Sequence, residues 1–137
     1  MEFNGSTLVF DLDGTISDPS LGIVRCFNYA LEAFGLPVVA EELIHQCIGP
    51  PLDESFSKLA PAETQTVIRE LVGKYRERYA EIGYAENVLY PGMDVALEHL
   101  KMSGKQLGVC TSKRADFADR ILSMFELREY FDFVSFF

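Results

Sequence analysis

The chain has no tryptophan, only two histidines and only three cysteines in 137 residues. The cysteines, Cys26, Cys47 and Cys110, are odd in number and far apart. They have no zinc-site spacing. They point to reduced thiols, packed as small hydrophobes, in a cytoplasmic protein. Long apolar runs are missing as well. None reaches the roughly 20 residues that cross a bilayer, and no basic, apolar start reads as a signal peptide, so no membrane partner is expected. Positive charge is scarce: 12 Lys and Arg face 21 Asp and Glu, a net charge of −9. That argues against nucleic acid as a partner, which needs clustered basic side chains. A small phosphate is not excluded, because a bound divalent cation reverses the local field. Internal repeats and low-complexity segments are also absent.

What the chain does have is apolar residues, 48% of the total, enough for one compact domain or one core with an inserted module. Thr7-Leu8-Val9-Phe10 reads as a short buried strand ending at Asp11. Asp18-Pro19 reads as a helix start, an N-cap carboxylate followed by proline. Val24, Phe27, Leu31 and Phe34 then recur at helical spacing, and Gly35 and Pro37 stop the run. A short helix is predicted over 41–47. The prolines of "IGPPL" break the chain before another short helix over 53–59. Pro61 is predicted to open a longer helix carrying Ile68, Val72, Tyr75, Tyr79 and Ile82, with Gly83 as C-cap. After the turn "LYPGMD" comes a helix with Val95, Leu97 and Leu100 inward. A strand follows over 106–110, then a helix over 115–127 with Phe117, Ile121 and Phe125 inward, and a strand over 131–137. Strands joined through helices imply a parallel sheet with right-handed crossovers.

The chemistry concentrates at two strand ends. In "FDLDGT", Asp11 and Asp13 flank Leu12, and i, i+2 residues of an extended segment share a side. Two same-side carboxylates repel unless something compensates them. They suit a hard cation, which takes oxygen ligands. One of them suits attack on phosphorus, and the other suits proton transfer to a leaving group and from water. Gly14 allows a sharp turn, and Thr15 offers a hydroxyl and an amide. Ligands in open parallel sheets bind beyond the carboxyl ends of the strands, where Asp11 and Thr111 are both predicted. Lys113 and Arg114 read as a solvated pair at a helix start. His45 and His99 read as surface or packing residues, Gly49 to Leu52 as a connector, and Arg25 as a weak substrate contact.

At these residues the chain resembles the haloacid dehalogenase superfamily, whose signature is an apolar strand followed by DxDGT, here "LVFDLDGT". The second family element, an apolar strand ending in Thr or Ser, is matched by "LGVCTSKR". "YPGMDVALEHLKMSGKQLGVCTSK" and "IGPPLDESF" resemble the phosphoglycolate phosphatase-like branch. The resemblance implies an α/β fold: a Rossmann-like parallel sheet, residues 1–16 and 85–137, with an inserted α-helical cap, residues 17–84. It implies Asp11 as nucleophile and Mg²⁺ ligand, and Asp13 as general acid/base with its carbonyl on the metal. Thr111 and the Ser112 amide would hold phosphate oxygens. An aspartate at the place of Asp13 favours phosphoryl transfer over dehalogenation. The implied activity is Mg²⁺-dependent hydrolysis of a small phosphorylated metabolite, 2-phosphoglycolate-like or nucleotide-like. A phosphomutase shares the nucleophile.

Two family elements find no match: a phosphate-binding lysine and an acidic group, both normally after the third strand. Asp132 precedes that strand instead of ending it, and Lys113 stands too close to Thr111 to replace the lysine. The Thr7–Phe10 strand is expected to expose one edge, which invites pairing. Three accounts stay open: a fragment of a longer phosphatase, a truncated and impaired protein that only binds phosphate or a partner, or a homodimer in which a second copy covers the open sheet edge.

Overall fold

The computed structural model describes residues 6–136. The chain divides into two compact units, one formed by the residues through Pro19 and from Asn87 onward, the other by Ser20–Glu86.

The first unit is α/β. Strand β1 (Thr7–Phe10) leads to a two-residue strand β2 (Ser17–Asp18). Strand β3 (Val88–Leu89), helix α5 (Met93–Met102), strand β4 (Gln106–Thr111), helix α6 (Ala115–Met124) and strand β5 (Phe133–Phe136) complete it. The main sheet has the order β1-β4-β5, all parallel. Thr7 lies opposite Gln106 and Phe10 opposite Val109, while Thr111 lies opposite Phe136. The expected parallel sheet is therefore present, and its central strand is β4. The core gathers Leu107 and Val109 of β4, Leu97 of α5, and Phe117, Ala118, Ile121 and Leu122 of α6, all buried. Gly108 is required by close approach: a Cβ there would stand 2.1 Å from the Phe133 ring.

The expectation of a buried first strand is corrected. Leu8 is 36% and Val9 55% exposed. The strand stands at the sheet edge, as expected: among the described residues β1 pairs with β4 alone. Val95, expected inward on α5, is likewise exposed, and Leu97 takes the core position instead. The last strand spans Phe133–Phe136, and residue 137 lies outside the described residues.

The second unit is all helical: α1 (Ser20–Ala33), α2 (Glu41–His45), α3 (Leu52–Leu59), α4 (Gln65–Glu81) and a 3-10 turn (Gly83–Ala85). Its core holds Phe27, Leu31, Ile44, Phe56, Ile68, Leu71 and Tyr75. The Phe27 ring packs 4.8 Å from Phe56 and 4.9 Å from Tyr75. Helix α4 starts later than predicted. Thr64 caps it, accepting the Val67 amide at 3.3 Å, and a side-chain acceptor satisfies an orphan amide where Pro61 has none to offer.

The division also falls a few residues from the expected one. Ser17 and Asp18 pair with Leu89 and Val88 in a small antiparallel sheet, so they belong to the α/β unit. Glu86 belongs to the helical unit, because Arg78 donates to its Oε1 at 2.7 Å and Arg25 to its Oε2. These contacts leave Arg25 engaged within its own unit.

Candidate active site

Asp11 follows β1 directly, and Thr111 is the last residue of the neighbouring parallel strand. The register therefore brings both to the carboxyl rim of the sheet. The Asp11 side chain is exposed, and its Oδ1 accepts the Leu12 amide at 2.8 Å. Leu12 is fully buried. Its carbonyl accepts the amides of Thr15 at 3.2 Å, Ile16 at 2.9 Å and Ser17 at 3.3 Å. The loop thus wraps around one buried residue and leaves its two carboxylate neighbours on the other side. Gly14 turns the chain at φ 81°, a left-handed conformation that strains any residue with a Cβ. The Thr15 amide is committed to this turn, and its side chain is exposed.

On the second loop, Thr111 is 2% exposed and its Oγ1 accepts the Lys113 amide at 3.0 Å. Ser112 is exposed. Lys113 corrects an expectation. It is not a solvated residue at a helix start: its side chain is 12% exposed and its Nζ lies 3.2 Å from Asp13 Oδ2. The parallel pairing of β1 with β4 sets the two loops side by side, so the lysine reaches across. Arg114 does stay in solvent, paired with Asp116 at 2.7 Å. A signal for Lys113 was present in the sequence. It stands two residues past Thr111, as Asp13 stands two past Asp11.

Burial pushes the Asp13 carboxyl above its ordinary value, Lys113 pulls it part of the way back, and Asp11 adds to the rise. Asp13 Oδ1 is buried and has no hydrogen-bond partner. A buried acceptor left unpaired costs free energy and calls for a partner such as an ion, a water or a reacting group. Among the described residues no cluster of three or more His, Cys, Asp or Glu is placed to hold a metal. The exposed Asp11 carboxylate nevertheless suits Mg²⁺, which binds through one or two carboxylates and keeps several waters, with the Asp13 carbonyl as the second ligand that the resemblance implies.

Asp132 lies at the other rim. It precedes β5, accepts the Leu107 amide at 2.9 Å and pairs with Lys101 at 3.2 Å. His45 is exposed and pairs with Glu41 one turn earlier, and His99 is exposed on α5. Gly49 sits in the connector between α2 and α3 at φ 112°. Among the described residues, no helix is long and apolar enough to cross a membrane.

Comparison with known proteins decides the family. The family model described as haloacid dehalogenase-like hydrolase matches residues 8–136. The chain belongs to the haloacid dehalogenase-like hydrolase family. Tyrosine-protein kinase PtkA of Mycobacterium tuberculosis is 35% identical over 128 residues, 93% of this chain and 43% of that protein. The solved PtkA structure aligns at a TM-score of 0.81 with 32% identity, over 99% of this chain and 62% of that one. The 5'-nucleotidase of Pseudomonas aeruginosa is 36% identical over 124 residues, 90% of this chain and 56% of that protein. The phosphoglycolate phosphatase of Salmonella typhimurium is 30% identical over an alignment of 155 positions, gaps included, that covers 93% of this chain and 59% of that protein. The chain spans about half the length of these curated relatives.

Proposed function

We propose that this haloacid dehalogenase-like chain carries the nucleophile half of a Mg²⁺-dependent phosphatase acting on a small phosphomonoester in the cytoplasm. One observation carries the reading: Asp11 and Thr111 end adjacent parallel strands at one rim, with Asp13 tied to the loop after Thr111. In this reading Asp11 attacks phosphorus and forms an aspartyl-phosphate. Asp13 gives a proton to the leaving oxygen and then takes one from the attacking water. The Thr111 hydroxyl and the Ser112 amide hold phosphoryl oxygens. Asp11 and Asp13 would hold Mg²⁺, which when bound offsets the charge of Asp11 and of the phosphate. The relatives named as a 5'-nucleotidase and a phosphoglycolate phosphatase support a nucleotide-like or 2-phosphoglycolate-like substrate.

The test is phosphate release from p-nitrophenyl phosphate by the full chain with Mg²⁺. Turnover that disappears with EDTA and in Asp11→Asn supports the reading, and activity retained in Asp11→Asn overturns the nucleophile. A second reading, binding of phosphate or a partner without turnover, is supported by the absence of a match for the family's later lysine and acidic group. It predicts binding of inorganic phosphate to a chain that hydrolyses nothing. A second copy pairing along the exposed β1 edge belongs to the same proposal. It predicts a dimer in sedimentation that Val9→Lys dissociates.

A further inference from the structure

Among the described residues Lys113 forms an ion pair with the candidate acid/base, and the geometry of that pair is specific. The Asp13 side chain is 36% exposed, but its Oδ1 has almost no accessible surface. The accessible oxygen is therefore Oδ2, which is the one Lys113 Nζ approaches at 3.2 Å. The lysine is held from behind as well. Its amide donates to Thr111 Oγ1 at 3.0 Å, and its side chain is 12% exposed. A mostly buried stem on an anchored backbone has little freedom to follow solvent, so the ammonium is a fixed point and Asp13 is oriented by it.

We propose that Lys113 is the positioning residue for Asp13: it presents Oδ2 to the leaving-group oxygen of the substrate. This rests on the phosphatase reading given above. The step it serves balances simply. The bond from phosphorus to the leaving oxygen breaks while Asp11 bonds to phosphorus, and the proton that the Asp13 carboxyl carries in the substrate complex passes to the departing oxygen, leaving the carboxylate that Lys113 faces. Lys113 neither gains nor loses a proton in that step. Its contribution is orientation, and orientation matters most where proton donation matters most. An alkoxide leaving group needs the proton, whereas p-nitrophenolate departs with little help.

The experiment compares kcat and KM of the full chain for glycerol 2-phosphate and for p-nitrophenyl phosphate, with Mg²⁺, in the unaltered chain, Lys113→Met and Lys113→Arg. The expected result is selective. In Lys113→Met, kcat for glycerol 2-phosphate falls about 10-fold more than kcat for p-nitrophenyl phosphate, KM changes little, and Lys113→Arg restores part of the loss. Equal losses on both substrates, or a rise in KM with kcat unchanged, overturn the proposal, the latter because it makes Lys113 a plain phosphate contact. Thermal melts of each variant separate unfolding from these outcomes. If Lys113→Met unfolds, Lys113→Gln and Lys113→Arg carry the same comparison. Turnover retained in Asp11→Asn, or absent from the unaltered chain, overturns the phosphatase reading itself, and the role of Lys113 falls with it.

Discussion

The sheet carries a lysine–aspartate pair at each rim, and the two pairs have the same separation, 3.2 Å. They differ in everything else. At the carboxyl rim Lys113 is 12% exposed, and burial pushes the Asp13 carboxyl up despite its partner. At the amino rim Lys101 is 36% and Asp132 40% exposed. There the Leu107 amide, with Lys101 behind it, holds the Asp132 carboxyl below its ordinary value. Distance between charges therefore does not decide how a pair behaves. Desolvation and the hydrogen bonds that accompany it do. A satisfied, solvated pair staples β5 to its neighbours. A desolvated carboxylate with one unpartnered oxygen is the kind of group that clusters at functional sites.

The largest effect that separates the rims is on turnover. Asp13→Asn is expected to lower kcat for p-nitrophenyl phosphate about 100-fold or more, while Asp132→Asn leaves it unchanged below its melting temperature. Equal losses would erase the functional distinction between the rims. Next comes the strand that joins them. Gly108→Ala puts a Cβ into the Phe133 ring, and overpacking of this kind costs about 1–3 kcal/mol. Urea melts should show the loss, and adding Phe133→Leu should recover part of it by vacating the space.

A smaller effect compares the two lysines directly. Lys113→Met leaves the desolvated Asp13 carboxylate uncompensated, and should lower stability by about 1 kcal/mol, a value reduced for the partial exposure of Asp13. Lys101→Met should move the urea midpoint less, and only its effect should fade in high salt. The smallest effect is in pH. The Asp132 carboxyl is depressed in the folded chain, so its stabilisation is present above the unfolded value near about 4 and is lost as pH falls through the folded one. The gap in Tm between the unaltered chain and Asp132→Asn should close on acidification. Asp13 has the opposite sign. Its raised value gives stability that is present in acid and lost as pH rises through that value.

Local patterns made much of this legible. The i, i+2 spacing of Asp11 and Asp13, the apolar run before them and the similar strand ending at Thr111 placed both groups at a carboxyl rim, as observed. The helical stripe with Phe27 and Leu31 faces the core of its unit. What escaped depends on neighbours. Lys113 looked solvated because its partner comes from a distant part of the chain. Thr7–Phe10 looked buried because its residues are apolar, although its open edge was expected. The β2–β3 ladder is two residues long, too short to leave a pattern.

The sequence by itself determined the placement of Asp11 and Thr111 at the strand ends and the alternation of strand and helix, since both follow from short-range spacing and backbone geometry. Only the tertiary structure decided which lysine compensates which carboxylate, and which rim keeps a buried oxygen without a partner. Those depend on desolvation, which is set by everything packed around a group and not by its neighbours in the chain.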